Sequence, residues 1–246
     1  DKTRIGKGGF GIVYKAYSKD KKQTVALKTL DYDHEHSFDN FIREVKYTTK
    51  VNHDNIIQFF GITQDSETRT YYMVLQFANS GDLRCYLNEH FSKLDWPTKI
   101  RMAKEISSGI NCLHSANIVH RDLNILVHDG RMIITDFGLS KLLDNSTKSI
   151  TGGTCAYSDP QYLQSPFMYR RNKPSDIYSL GVLFWELSSG IPPFRALKDL
   201  VEITLYVIKG NREIPIEGTP VDFKNLYCAA WSVDPDSRPD IKEICN

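Results

Sequence analysis

The hydrophobic pattern of the chain changes once from strand to helix character, and this change limits the possible folds more than any other feature. Short apolar runs typical of strands occur at residues 12–14, 25–27 and 72–75. One helical pattern interrupts them, from about residue 38 to residue 51. From about Asp82 onward helical spacing dominates, with a helix start at Asp95 and a buried helix at residues 178–187. We therefore predict a two-lobed α+β fold, in which a small, β-rich N-terminal lobe with one helix precedes a larger α-helical C-terminal lobe.

The composition is that of an ordinary globular protein and gives no electrostatic reason for a nucleic-acid or membrane partner. Lys and Arg total 31 against 30 for Asp and Glu, so the net charge is +1. No apolar run approaches membrane-spanning length. We therefore predict no nucleic-acid partner and no membrane segment, while the oligomeric state stays unknown.

The cysteines indicate a cellular location, and the chain ends indicate how much of the protein the sequence covers. The five cysteines are scattered without a CxxC pair, which is typical of reduced thiols and predicts an intracellular, cytoplasmic location. The sequence begins at Asp1 and ends at Asn246 inside an amphipathic stretch. Both ends look cut, so we expect a domain of a longer protein.

A glycine-rich motif, GxGxxG, lies near the start of the chain at Gly6, Gly8 and Gly11. Such a motif can mark a dinucleotide site, but there it should open a helix after a strand. Here it leads into the strand pattern at residues 12–14. The context favours a hairpin whose backbone N–H groups approach phosphate oxygens, because glycine puts no side chain in the way.

A lysine and a glutamate follow the glycine motif in a set order. Lys28 ends the strand pattern at residues 25–27, and Glu44 lies in the helical pattern that comes next. Taken alone, Lys28 is most simply an exposed lysine on a strand edge. Together with the glycine motif, the pair indicates a cation for nucleotide phosphates that is held in place by a carboxylate.

With two further motifs the chain resembles eukaryotic protein kinases. These are His-Arg-Asp-Leu at residues 120–123 and Asp-Phe-Gly at residues 136–138. Residues 153–161 and 175–181 are similar to the end of a kinase activation segment and to the helix that holds the catalytic loop. The resemblance is strongest to the tyrosine-kinase-like branch of Ser/Thr kinases. It covers residues 1–246 as one kinase domain, with 1–78 as the N-lobe and 79–246 as the C-lobe.

The resemblance implies ATP and Mg²⁺ as cofactors and Ser/Thr hydroxyls of proteins as substrates. In the catalytic group, Asp122 accepts the substrate proton, Lys28 holds the phosphates and Glu44 fixes Lys28. Asp136 and Asn124 are the implied metal ligands. The implied nucleotide-binding residues are Gly6, Gly8, Gly11, Val13, Ala26, Lys28, Gln76 and Ala78.

The catalytic loop departs from the family pattern. That pattern places the metal-binding Asn five residues after the Asp, whereas Asn124 follows Asp122 by two. Three extended residues span roughly 10 Å, and a misplacement of about 1 Å can cost about 10²-fold in rate. We expect ATP binding to survive and phosphate transfer to suffer.

Four interpretations of the chain stay open at this point. The chain is an active Ser/Thr kinase, or a pseudokinase that binds ATP with little turnover. Alternatively, the working protein has the three residues and this sequence has lost them. A nucleotide-binding protein outside the kinase family is the most distant alternative.

Two smaller departures lie outside the loop. Gln161 stands where the family has a Glu that pairs with Arg238, and we expect the amide oxygen of Gln161 to accept from Arg238 instead. Thr48 stands where an apolar residue usually packs, so we expect a looser helix around Glu44.

The hydroxyl-rich segment at residues 139–154 resembles the regulated activation segment of the family. We expect phosphorylation within residues 146–151. The resemblance implies that Arg121 pairs with that phosphate.

Overall fold

The structure is a computed structural model that describes residues 2–8, 11–29, 37–142 and 155–246. The N-terminal part is one antiparallel sheet of five strands, in the order β1-β2-β3-β5-β4. The strands are β1 (Lys2–Gly8), β2 (Gly11–Ser18), β3 (Gln23–Thr29), β4 (Phe59–Gln64) and β5 (Tyr71–Gln76). Helix α1 (Ser37–Thr48) lies between β3 and β4 in the chain and corresponds to the helix predicted there.

The rest of the chain is mainly helical. Its helices are α2 (Leu83–His90), α3 (Trp96–Ser115), α4 (Pro160–Gln164), α5 (Lys173–Ser189), α6 (Leu200–Ile208), α7 (Val221–Ala230) and α8 (Ile241–Cys245). Four short strands form two antiparallel pairs, β7 (Asn124–His128) with β8 (Arg131–Thr135), and β6 (Ile118–Val119) with β9 (Lys141–Leu142). The predicted two-lobed α+β fold is confirmed. None of the described helices is both long and apolar enough to cross a membrane.

The glycine-rich motif forms a hairpin, as its context predicts. Strands β1 and β2 pair antiparallel, and Gly8 lies opposite Gly11. Gly11 has a φ of +122°, and a Cβ there would strike the carbonyl oxygen of Thr29. Only glycine meets both conditions without strain.

Helix α5 forms the centre of the helical lobe and is buried along nearly its whole length. It begins at Lys173, earlier than the predicted residue 178, because Asn172 caps it. The Asn172 side chain accepts from the N–H of Ser175, and Ser175 Oγ accepts from the N–H of Asn172. The helix predicted after Asp95 is also confirmed, since the Asp95 carboxylate accepts from the N–H of Thr98 at 3.0 Å.

The β7–β8 hairpin is bonded to chain segments on both sides of it. The N–H of Ser80 donates to Val127 O at 3.0 Å, and the N–H of Val127 donates to Gly81 O at 2.8 Å. On the other strand, the N–H of Ile57 donates to Ile134 O at 2.9 Å. These bonds fix the hairpin between the sheet and the helices, where the candidate site lies.

Candidate active site

A buried carboxylate, Asp176, fixes the backbone of the loop between β6 and β7. It accepts from the N–H groups of His120 and Arg121, each at 2.8 Å. Nε2 of His114 lies 2.9 Å from the same carboxylate. Burial opposes its ionisation, but the bonds from His114 and from the Arg121 N–H hold the pKa of Asp176 below its usual value. The resemblance to the family's loop-holding helix is therefore matched in geometry.

His120 is a core residue. Its ring is fully buried, 5.0 Å from the ring of Phe137, and its Nε2 lies 2.9 Å from the carbonyl oxygen of Thr135. A carbonyl only accepts, so Nε2 carries the proton. Burial lowers the pKa of His120, and the ring stays neutral.

Lys28 lies at a buried junction of opposite charges. Its Nζ donates to both carboxylate oxygens of Glu44, at 2.8 and 2.9 Å, and also to Asp136. Lys28 is only 6% exposed, so it is not the edge lysine that the strand pattern alone would favour. Burial by itself would lower the pKa of Lys28, but the charges of Asp136 and Glu44 outweigh it and raise that pKa. The side chain of Lys28 therefore stays protonated, and its bonds to Glu44 and Asp136 hold the ammonium group in one orientation.

The carboxylate of Asp122 lies nearly buried close to Asp136. It is 7% exposed, and within the part of the chain that the structure describes its Oδ1 has no hydrogen-bond partner. Burial, and then the negative charge of Asp136, raise the pKa of Asp122 to about 6. An ionised oxygen with no partner is a ready acceptor.

Asn124 begins β7 directly opposite Thr135, the residue before Asp136. Its Nδ2 donates to the backbone oxygen of Asp122 at 3.3 Å. Asp136 itself has a left-handed backbone, with a φ of 69°, a strained state that is common at functional sites. The end of the β7–β8 hairpin thus places Asn124 next to the backbone of Asp122 and across from the residue before Asp136.

Three of the predicted nucleotide residues, Val13, Ala26 and Lys28, share one face of the sheet. Val13 pairs with Lys28, and Ala26, two residues before Lys28, pairs with Leu75. Directly opposed residues and residues two apart point to the same side of a sheet. Gly6 lies opposite Val13 on β1, so the structure places these residues next to one another.

The remaining predicted nucleotide residues lie at or beyond strand ends, and Gln76, opposite Val25, has its side chain on the other face. Gly8 ends β1 at the hairpin, and its tip, residues 9–10, lies outside the described residues. The N–H of Gln76 donates to Gln58 O at 2.9 Å, so it is already used inside the protein. Ala78 lies half-buried in the segment that follows β5.

The donor set fits a nucleotide with a hard divalent cation. Lys28 supplies a fixed positive charge, and Asp136 and Asn124 carry the oxygen ligands that Mg²⁺ prefers. No group of three or more His, Cys, Asp or Glu residues in the described ranges could hold a metal by itself. A cation here would therefore share its coordination with phosphate oxygens.

Arg171 is a residue of the site that the motifs did not reveal. Its Nη1 donates to Arg121 O at 2.7 Å, and its guanidinium lies 4.1 Å from the ring centre of Tyr162. Its charge lowers the pKa of Asp122, against the larger effects of burial and Asp136. Arg171 lies 50 residues beyond Arg121 in the chain, so no local pattern points to the contact. The predicted phosphorylation stretch, residues 146–151, lies outside the described residues.

The expected bond between Gln161 and Arg238 is wrong. Arg238 donates instead to Asp159, at 2.8 and 3.1 Å. The Nε2 of Gln161 donates to the backbone oxygen of Val233 at 3.4 Å. A carboxylate two residues earlier competes better than a neutral amide for a buried guanidinium.

Comparison with known proteins identifies the family of the chain. Residues 1–246 match the family of protein tyrosine and serine/threonine kinases, and the chain belongs to the protein kinase family. It is 31% identical to the tyrosine-protein kinase Abl of Drosophila melanogaster over 99% of its length, which is 15% of that protein. It is 30% identical to the serine/threonine-protein kinase TNNI3K of Mus musculus, covering 98% of this chain and 30% of the relative.

A third relative combines both specificities in its name. The dual specificity protein kinase shkC of Dictyostelium discoideum is 33% identical over 98% of this chain, or 49% of its own length. The chain thus spans less than half of each of these relatives. They support kinase and ATP-binding chemistry, and they divide between tyrosine and Ser/Thr kinases.

Proposed function

We propose that the chain is an ATP-dependent protein kinase domain that transfers the γ-phosphate to Ser/Thr hydroxyls of proteins in intracellular signalling. The observation that carries the proposal is the buried junction of Lys28 with Glu44 and Asp136, with Asp122 near enough to feel the charge of Asp136. Phosphoryl transfer depends almost entirely on positioning and charge neutralisation. The Lys28 ammonium and the nearby carboxylates of Asp122 and Asp136 provide the fixed positions and the charges that this reaction requires.

In this proposal each residue of the junction has one task. Lys28 holds the nucleotide phosphates and Glu44 orients Lys28. Asp122 accepts the proton of the substrate hydroxyl, because a carboxyl group with a pKa of about 6 is mostly ionised at neutral pH. Bound Mg²⁺ would neutralise charge on the transferred group, and we assign Asp136 and Asn124 to hold it.

The nucleotide assignment and the domain limits belong to the same proposal. Residues 1–78 would form the lobe that covers ATP and residues 79–246 the lobe that binds the protein substrate, in a cytoplasmic setting. The residues assigned to the nucleotide are Gly6, Gly8, Gly11, Val13, Ala26, Lys28, Gln76 and Ala78. What supports this set is the shared sheet face of Val13, Ala26 and Lys28.

The proposed specificity for Ser/Thr has less support than the proposed kinase function. Its support is the Gly-Thr pair at residues 153–154, which is similar to Ser/Thr kinases. The named relatives include a tyrosine, a Ser/Thr and a dual specificity kinase. An assay therefore needs both kinds of acceptor.

The alternative is a pseudokinase that binds ATP with little turnover. It is favoured by the loop, in which Asn124 follows Asp122 by two residues and its Nδ2 donates to the backbone of Asp122. A loop of this length holds the two side chains closer along the chain than the family pattern does. Nucleotide contacts come from other segments and are untouched by it.

The test compares the chain with a form carrying His-Pro-Lys between Leu123 and Asn124. We expect both forms to bind a fluorescent ATP analogue with Mg²⁺. The native form should transfer phosphate at least about 100-fold more slowly to generic protein substrates that offer Ser, Thr and Tyr.

Asp136→Ala serves as the inactive blank in the same assay. Equal turnover of the two loop forms, well above that of Asp136→Ala, would contradict the positional argument and the pseudokinase alternative and would support the active kinase. Loss of ATP binding in both forms would contradict the kinase proposal itself.

A further inference from the structure

Asp159 carries the most heavily bonded buried carboxylate described for the helical lobe. Arg238 donates to it through Nη1 and Nη2, at 2.8 and 3.1 Å, and both side chains are 0% exposed. The two parallel bonds form the bidentate arrangement in which guanidinium binds carboxylate most strongly. Removing one member of such a pair leaves the other charge buried and uncompensated.

Three further donors reach the same carboxylate from separate segments. Ser175 Oγ at the start of α5 donates at 2.9 Å, and the hydroxyl of Tyr169 donates at 3.2 Å. The N–H of Gln161 donates at 3.0 Å, so Asp159 also caps α4. The carboxylate thus ties α4, the loop before α5, α5 itself and the loop before α8 to one point.

The side chain of Gln161 contributes little to the bonds around Asp159. Its side chain donates only to Val233 O at 3.4 Å among its described contacts, and Arg238 Nη2 donates to the same oxygen at 3.4 Å. A carboxylate introduced by Gln161→Glu would therefore lie next to the Arg238 guanidinium. The chain has the negative charge at 159 where the related pattern has it at 161.

We propose that Asp159 is a positioning residue that holds the segment at residues 155–165 in place for binding of the protein substrate. The inference rests on the proposed kinase function, because it assigns this segment to the substrate side of the same site. It replaces the expected role of residue 161 with a charge two residues earlier.

The position of this segment shows why its anchor affects the substrate side. Ala156 and Tyr157 lie on the wall of a cavity of about 520 Å³, which Leu123 and Asn124 line from the catalytic loop. Ser179 Oγ donates to Tyr157 O at 2.6 Å, so α5 supports the wall from behind. The sheet face that we assign to ATP belongs to other elements. Loosening Asp159 should therefore weaken protein-substrate binding and leave ATP affinity unchanged.

The test uses Asp159→Asn, Gln161→Glu and the double variant Asp159→Asn/Gln161→Glu. Amide hydrogen exchange is followed at Leu163 and Ser165, whose N–H groups donate to Asp159 O and Gln161 O. The N–H of Val127 serves as the distant reference. We expect Asp159→Asn to speed exchange at 163 and 165 by about tenfold or more, with little change at 127. Gln161→Glu should change it by less than about twofold, and the double variant should recover most of the protection.

Two functional measurements accompany the hydrogen-exchange experiment. Affinity for a fluorescent ATP analogue should stay within about twofold in every variant. In the form with the three-residue insertion, Asp159→Asn should raise KM for the protein substrate several-fold while KM for ATP holds, and Gln161→Glu should restore it. A purely structural role would not split the two KM values.

Unchanged exchange at 163 and 165 in Asp159→Asn would overturn the inference, as would equal acceleration at 127. If Asp159→Asn does not fold, the double variant decides, because recovery of folding supports the charge transposition and continued unfolding overturns it. Failure of the native chain to bind the ATP analogue would contradict the proposed function and leave the exchange result readable.

Discussion

At the scale of single residues, the site depends on charges that the protein has removed from water. The Lys28 ammonium is surrounded by Glu44 and Asp136, and Asp122 lies close to Asp136. The sequence indicated these residue types through its motifs, and it predicted the pairing of Lys28 with Glu44 but not the contact of Lys28 with Asp136. It could not predict their burial, because a strand lysine is exposed in most proteins.

Lys28→Met should cost both binding and stability. The variant leaves Glu44 and Asp136 without their cation, and loss of one partner of a buried pair costs about 3–5 kcal/mol. We expect at least a tenfold loss of affinity for a fluorescent ATP analogue and a lower urea midpoint. Lys28→Arg is the matched control, since it keeps the charge. Full ATP affinity in Lys28→Met would contradict the assigned pocket.

His120 should make the fold sensitive to mild acid. Burial lowers its pKa in the folded state, whereas an unfolded histidine titrates near 6.5. Below that pH the unfolded chain binds a proton that the folded chain does not, so stability falls as pH falls, by up to about 1.4 kcal/mol per pH unit. We expect His120→Phe to show a smaller loss between pH 7 and pH 5.5 in urea unfolding. Parallel pH slopes for the two proteins would contradict this.

At the scale of elements, the central strands could be predicted and the edge strands could not. Strands β2, β3 and β5 lie inside the sheet and have apolar runs, whereas β1 and β4 lie at its edges. Half of β4 and most of β1 are exposed, and neither strand contains three consecutive apolar residues like those of the central strands. Helix α1 ends at Thr48, earlier than predicted. Thr48 Oγ1 donates to Glu44 O at 2.7 Å, which satisfies its buried hydroxyl.

The two ends of the glycine hairpin should respond differently to the same substitution. Gly11→Ala places a Cβ against Thr29 O at a φ of +122°, whereas a Cβ at Gly6 would meet nothing within 4 Å. We expect Gly11→Ala to lower the free energy of unfolding by about 1–3 kcal/mol. Gly6→Ala should change it by much less, since β1 keeps its backbone there. Equal thermal shifts in the two variants would show that the positive φ is not required.

At the scale of the whole molecule, the order of motifs predicted the fold and indicated candidate site residues, whereas the long-range contacts could not be predicted from it. Arg171 meets Arg121 across 50 residues, and Asp159 meets Arg238 across 79. Such pairs depend on how helices pack, which no local spacing records. The predicted bond between Gln161 and Arg238 was wrong for this reason. The sequence shows that Asp159 is present, but it does not show that the Asp159 side chain faces Arg238.

Nucleotide binding should stabilise the molecule as one unit. A ligand at 100 times its Kd adds about 2.7 kcal/mol to the free energy of unfolding, or roughly 5–10 °C in Tm for a chain of this size. We expect this shift with an ATP analogue and Mg²⁺ in the native chain and in Asp122→Asn. In Lys28→Met we expect about half of it or less, because a tenfold weaker affinity at the same ligand concentration leaves about 1.4 kcal/mol. A shift of the same size in Lys28→Met would contradict the role of the lysine in binding.

The β7–β8 hairpin has a mechanical consequence. Backbone bonds join it to residues 80–81 on one strand and to residues 55–57 on the other, so it is held from both sides. We expect a rotation of the five-stranded sheet against the helices to move Lys28, which lies on β3. Asn124 and Asp136, at the end of the hairpin, should stay with the hairpin. The separation of Lys28 Nζ from Asp136 is thus a gauge of how far the cleft has opened.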